Sequence, residues 1–137
     1  MRIVFVLTLS VVSLDGFAQQ QETFHKISFT PPQGWTATST SEALMYSDIQ
    51  PDKFCILSIY PAVSVSGTQL QDFQEEWEAK VQAISARANT PRKSIASTAS
   101  GIPFVEGGAQ MVLTDNQGQM YAHLVVLFVG SMRQSVL

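Results

Sequence analysis

Two histidines, His25 and His123, one cysteine, Cys55, and a large supply of serine are the side chains here that could carry covalent or acid–base chemistry. No G-x-S-x-G elbow presents any of the serines as a nucleophile. A Ser–His–Asp triad assembles in space rather than along the chain, so spacing alone neither builds one nor removes it. No residue is assigned a catalytic role, and a small secreted hydrolase with its site near His25 or His123 stands as an alternative. Cys55 lies between Phe54 and Ile56 in a strand-like run. That setting predicts a buried thiol that behaves as a small apolar side chain and reacts slowly.

Metal and phosphate chemistry fare no better. No His, Cys or carboxylate pair has the close spacing of H-E-x-x-H or C-x-x-C. Asp115-Asn116-Gln117-Gly118 offers oxygen ligands but lacks the frame of a calcium loop, and it reads as a hairpin turn. Gly107-Gly108 lacks the rest of a phosphate-binding fingerprint. The sequence therefore assigns no metal site and no cofactor. Arg87, Arg92 and Lys93 form a modest basic cluster that could hold an anion or simply follow the C-terminal end of a helix. Trp35, Tyr46, Tyr60 and Tyr121 pair an apolar ring with a polar handle, which suits a ligand- or partner-binding surface and equally suits a sheet.

These residues sit in a chain of 137, enough for one domain with its own core. Hydrophobic residues at 45% against 14% charged predict a folded core rather than disorder. Arg2, the apolar run Ile3–Leu14 and the small residues of Gly16-Phe17-Ala18 form a secretory signal peptide, with cleavage expected after Ala18. Residues 19–137 then make a single secreted or periplasmic domain. Cleavage removes one charge of each sign, Arg2 and Asp15, and leaves the net charge at −3. A mildly acidic domain has no electrostatic footprint for nucleic acid. No later run is long enough for a transmembrane helix. A lone cysteine cannot staple the domain internally, so packing has to hold it.

Along the mature chain, Phe24–Phe29 alternates like a half-buried strand, although Phe24 and Ile27 fall out of phase. Thr36–Glu42 reads as a Ser/Thr-rich connection, Ala43–Asp48 and Phe54–Tyr60 as strands, and Val63–Gly67 as an edge segment. Leu70, Phe73, Trp77, Val81 and Ile84 recur at helical spacing, so Thr68–Ile84 is the one clear helix, opened by a capping box of Thr68 and Gln71. Ser85–Ser100, rich in Ser, Ala and Thr with Pro91, reads as a loop, with a short strand at Lys93–Ser97 as an alternative within it. Gly101-Ile102-Pro103 and Glu106-Gly107-Gly108 punctuate the approach to three antiparallel strands, Ala109–Thr114, Gln119–Val129 and Arg133–Leu137. The run Leu124–Val129 is apolar on both faces, as in a central strand covered on both sides. The fold class is α+β: a mostly antiparallel sheet with one helix packed on it.

Phe29-Thr30-Pro31-Pro32-Gln33-Gly34-Trp35 resembles the F-x-x-P-x-G-W start of PsbP-like and Mog-like domains. Gly101-Ile102-Pro103 and the hairpin ending Phe128-Val129-Gly130 are similar to that family's second half, so the resemblance spans Phe24–Leu137. It implies an α/β/α sandwich around an antiparallel sheet, although the family's C-terminal helix has no counterpart in the sequence. It also implies a largely non-catalytic domain. Members bind protein partners such as photosystem II subunits or the small GTPase Ran, neither of which carries over to a secreted chain.

The expected function is a secreted or periplasmic binding domain for an unknown protein partner. The alternatives are the hydrolase above and the N-terminal part of a cell-envelope structural protein. The chain ends in the apolar Val136-Leu137, and no second helical stripe is present to cover the far face of Leu124–Val129. The expectation is that this face and the edge of Arg133–Leu137 are left open. The chain would then continue into a covering element, bind a partner there or self-associate.

Overall fold

The computed structural model describes residues 20–84, 91–112 and 118–137. The expected signal peptide, Arg87 and Asp115-Asn116-Gln117 of the expected turn lie outside the described residues.

The strands are β1 (Glu22–Phe24), β2 (Ile27–Phe29), β3 (Thr36–Ser39), β4 (Leu44–Ile49), β5 (Phe54–Ile59) and β6 (Val63–Ser64). The helix α1 (Gln69–Trp77) follows and runs on into a π-helical turn at Glu78–Gln82. Then come β7 (Arg92–Ser97), β8 (Pro103–Val112), β9 (Gln119–Val129) and β10 (Met132–Val136). The main sheet runs β3-β4-β5-β10-β9-β8-β7, with every neighbouring pair antiparallel. Two meanders, β3–β5 and β7–β10, are thus zipped together where β10 lies beside β5, with α1 as the connection between them. The α+β class read from the sequence is the class observed.

The capping box at Thr68 and Gln71 forms as the sequence predicts. Phe73, Trp77 and Val81 are fully buried against Val105, Ala109 and Met111 of β8 and Ala122, Leu124, Val126 and Phe128 of β9. The stripe is narrower than its periodicity suggests, because Leu70 and Ile84 are 45% and 59% exposed. Gly107 and Gly108 do not interrupt the chain. They lie inside β8, which starts at Pro103 rather than at Ala109. A Cβ on Gly107 would lie 2.8 Å from the Phe73 ring and 2.9 Å from the Arg92 carbonyl. Here glycine lets the helix approach the sheet closely, and it does not mark a turn.

Three further expectations are corrected. Phe24–Phe29 is a hairpin, β1–β2, turning at His25-Lys26 with His25 at φ 53°. The turn explains why Phe24 and Ile27 were out of phase: they face each other across it. Thr36–Ser39 of the supposed connection is the strand β3, an edge whose four residues are all exposed. Finally, β10 is not an open edge. It lies inside the sheet, paired with β9 on one side and with β5 and β6 on the other. The true edges are β3 and β7, short strands of small, polar and basic residues that discourage edge-to-edge pairing.

The face opposite α1 is covered in its middle by the β1–β2 hairpin. Ile27 packs with Tyr46 and Ile59, and around them lie Phe24, Phe29, Leu57, Leu127 and Val136. Buried Gln134 fastens the turn. Its Oε1 accepts from the Lys26 N–H at 2.9 Å, and its Nε2 donates to the carbonyls of Phe24 at 3.0 Å and Tyr60 at 2.9 Å. Leu124–Val129 is therefore two-sided, as its pattern predicts, and a hairpin rather than a helix covers its second face.

Candidate functional site

Strand β10 ends before its neighbours do. Val136 pairs with Ile59 of β5 and Val125 of β9, and Leu137 closes the contact by exchanging two backbone hydrogen bonds with Ser58. Past that point Phe54–Leu57 pairs only with β4, and Gln119–Leu124 only with β8, among the described residues. At Val136 the two flanking strands are two strand spacings apart, ~9.5 Å. They border a recess of about 1240 Å³ whose floor is Leu137.

Its walls show what kind of recess this is. Both faces of β5 contribute, with Phe54 and Ile56 on the helix side and Cys55 and Leu57 on the hairpin side. Both faces of β9 contribute too, through Met120 and Ala122 on one side and Tyr121 and His123 on the other. A recess lined from both faces of two strands passes through the plane of the sheet, which requires a strand-wide gap. On the helix side the gap opens into an apolar basin with Val81, Ile84 and Ile49. Ile49, Phe54 and Ile56 are 75%, 49% and 43% exposed. Cys55 is exposed, contrary to expectation. Cys55 does alternate within β5, paired with Asp48 of β4, but no described residue packs over it.

Beside the gap, on the face away from α1, lies a second recess of about 570 Å³ floored by Gly108 and Ala109. The cross-strand register brings Arg92, Ser94, Glu106, Tyr121 and His123 around it. Glu106 accepts from the Ser94 hydroxyl at 3.2 Å and lies 3.2 Å from His123 Nε2. The carboxylate sits between hydroxyl and imidazole, whereas activating a serine needs the imidazole in that place. His25 is exposed on the hairpin turn, far along the sheet from this group. Among the described residues no group of three or more His, Cys, Asp or Glu side chains could hold a metal ion.

The basic cluster is not a single site. Arg92 faces the second recess, while Lys93 faces α1, where its Nζ donates to Gln74 Oε1 at 2.8 Å and lies 5.9 Å from the Phe73 ring centre. The four polar aromatics also divide. Tyr46 is buried, and its hydroxyl donates to Glu22 Oε2 at 2.8 Å. Burial first, then that hydrogen bond and the Glu22 charge, push its pKa up to about 12. Trp35, Tyr60 and Tyr121 all border the strand gap. Tyr60 lies beneath Lys80, whose Nζ is 4.6 Å from the ring centre. Burial and the acids Glu76 and Glu42 raise its pKa against an opposing hydrogen bond with Ser58.

A third cluster escaped sequence reading. Arg133, in the middle of β10, reaches Asp72 at 2.7 Å, Glu75 at 3.0 Å and Glu76 at 3.0 Å. Asp72 also accepts from the backbone N–H groups of Ser66 and Gly67 at 3.1 and 3.0 Å and from the Ser66 hydroxyl at 2.7 Å. Glu76 accepts from Ser135 at 2.9 Å and is paired with Lys80. Burial alone would raise both carboxyls, but the Ser66 and Gly67 donors and Arg133 hold Asp72 below its ordinary value. Lys80, Ser135 and Arg133 do the same for Glu76. For Arg133, burial acts to lower the pKa, but its carboxylate partners raise it above the ordinary value. The only trace in the sequence is the spacing of Asp72, Glu75 and Glu76, which puts three acids on one helical face.

Comparison with protein-family models, with curated proteins and with solved structures finds no match to this chain.

Proposed function

We propose that this protein is a secreted or periplasmic, non-catalytic binding domain that takes a polypeptide partner in the gap between β5 and β9. The observation that carries the reading is the exposed apolar surface there: Ile49, Phe54 and Ile56, with Ile84 beside them. Large exposed apolar patches on soluble proteins mark interaction sites. The leader-like N-terminus supports the location. The resemblance to PsbP-like and Mog-like domains, whose members bind protein partners, supports the class. Among the described residues no helix is long and apolar enough to cross a membrane.

Selection of a displayed random-peptide library against the immobilised protein tests the site. Enriched peptides are expected to bind the wild type and to lose binding to Ile56→Asp, a change at an exposed position. Peptides that bind both proteins equally, or a selection that enriches nothing, would remove the gap as the binding site.

A further inference from the structure

The recess over β8 holds an aromatic platform among its polar groups. Tyr121 stands opposite Gln110 in the register of β8 and β9. Its ring does not stand off the sheet at that point. The hydroxyl end leans diagonally over Gly108, where an added Cβ would lie 2.7 Å from the ring carbon Cζ. Glycine leaves the room that lets the ring lie along the strand. The side chain is nonetheless 65% exposed. An apolar surface is therefore laid on the sheet and left open to solvent, with planar polar side chains around it.

The same register sets those polar groups. Arg92 and His123 flank Gly108 from opposite sides, and Ser94 stands opposite Glu106. A carboxylate has about four acceptor sites. Ser94 occupies one on one oxygen of Glu106 and His123 one on the other, so acceptor capacity is left over. The Arg92 guanidinium has no ion-pair or hydrogen-bond partner among the described residues. With His123 neutral, the rim carries one positive and one negative charge, Arg92 and Glu106. That balance gives a multiply charged phosphate no net attraction. It suits a ligand with a single carboxylate, which one guanidinium grips through two parallel bonds. The volume of about 570 Å³ is within the range of small-ligand pockets.

We infer that this recess binds an acidic sugar, a uronate residue of a polysaccharide. The apolar face of the pyranose ring lies on Tyr121, and its carboxylate is held by Arg92. The ring hydroxyls donate to the remaining acceptor sites of Glu106 and exchange hydrogen bonds with Gln110. The site is separate from the polypeptide site proposed above, because Arg92, Ser94 and Glu106 line this recess and not the gap.

The probes are oligomers of galacturonate, mannuronate and glucuronate, with dextran and cello-oligosaccharides as neutral comparisons. Each is titrated into isotope-labelled protein and followed by NMR. The amides of Arg92, Gly108 and Tyr121 are expected to shift. At least one uronate is expected to bind at least about tenfold more tightly than the neutral sugars, the worth of a hydrogen bond to a charged group. Arg92→Gln is expected to remove that preference. Tyr121→Ala is expected to weaken all sugar binding at least about tenfold, whereas Tyr121→Phe keeps the ring and binds as the wild type does. Gly108→Ala pushes the ring aside and is expected to weaken binding in the same way, which covers the case in which Tyr121→Ala fails to fold. Uronates that do not bind, shifts confined to other residues, or binding unchanged by Arg92→Gln and Tyr121→Ala would overturn the inference. Full displacement of the sugar by an equal concentration of inorganic phosphate would overturn it too, since that result describes an anion site without sugar recognition.

Discussion

The two ends of the joint between the meanders use the same strands and differ in almost everything else. At the filled end, β10 lies between β9 and the β5–β6 edge and carries Arg133, Gln134 and Ser135, three buried polar residues in a row. Arg133 and Ser135 both bond to α1, Arg133 also to Ser66 after β6, and Gln134 to the hairpin turn and the Tyr60 carbonyl. At the other end, the same two strands present exposed apolar side chains and, among the described residues, pair only with β4 and β8. Buried polar groups are costly unless every one is satisfied, and they tolerate only one arrangement. Apolar walls accept many occupants. The contrast separates a joint whose polar partners allow one arrangement from an exposed apolar surface that imposes none.

The sharpest way to break that contrast is at Arg133. Replacing it with Met leaves buried Asp72 without a cation and Glu76 with Lys80 alone, and the expected cost is about 3–5 kcal/mol in chemical denaturation. Trp77→Ala, in the core on the same helix, is expected to cost a similar ~3–5 kcal/mol. A loss under 1 kcal/mol for Arg133→Met would mean that the cluster relaxes into water and does not lock the joint.

Gln134→Ala removes the clamp on the hairpin turn and leaves the Phe24 and Tyr60 carbonyls and the Lys26 N–H without it. An expected loss of about 1–3 kcal/mol follows, with faster exchange of the β1–β2 amides than of the β8–β9 amides. Uniform exchange across both would show that the hairpin is held by its apolar contacts alone.

The filled end should also be the acid-sensitive one. Asp72 and Glu76 have folded pKa values below their unfolded ones. Their contribution is complete above the unfolded values near pH 4 and is lost as pH falls through the folded values. Stability measured from pH 6 downward should therefore drop below about pH 4, and the drop should be shallower in Arg133→Met. Parallel curves would place the acid sensitivity elsewhere.

The smallest effects belong to the open end. Ile56→Thr and Phe54→Ser change exposed side chains, and each is expected to alter stability by no more than about 0.5 kcal/mol. Both should weaken fluorescence of a hydrophobic dye bound to the protein. A stability loss comparable to that of Gln134→Ala would mean that the gap is closed in solution.

Much of the frame was legible along the chain. The Phe73–Trp77–Val81 stripe, the Thr68–Gln71 capping box and the two-sided Leu124–Val129 run all depend on periodicity and on contacts between near neighbours. Such local signals survive in a single sequence. Helix and strand are therefore legible where the pattern is long and illegible in short segments. The His25-Lys26 turn has no Gly or Asn to announce it, and β3 is too polar to read as a strand.

What only the tertiary structure decided is which distant segments meet. Gly107 and Gly108 read as a break until Phe73 is placed over one and Tyr121 over the other. Arg133 looks like a lone charge in an apolar strand until α1 brings three carboxylates to it. Cys55 looks buried in its apolar run until the sheet is assembled and leaves it exposed on β5. The amino-acid sequence by itself determined the class of the domain, its helix and its central strand, because those follow from side chains a few positions apart. The order of strands and the ion cluster depend on pairing between β5 and β10, segments far apart in the chain, and no local pattern encodes which distant strands will meet.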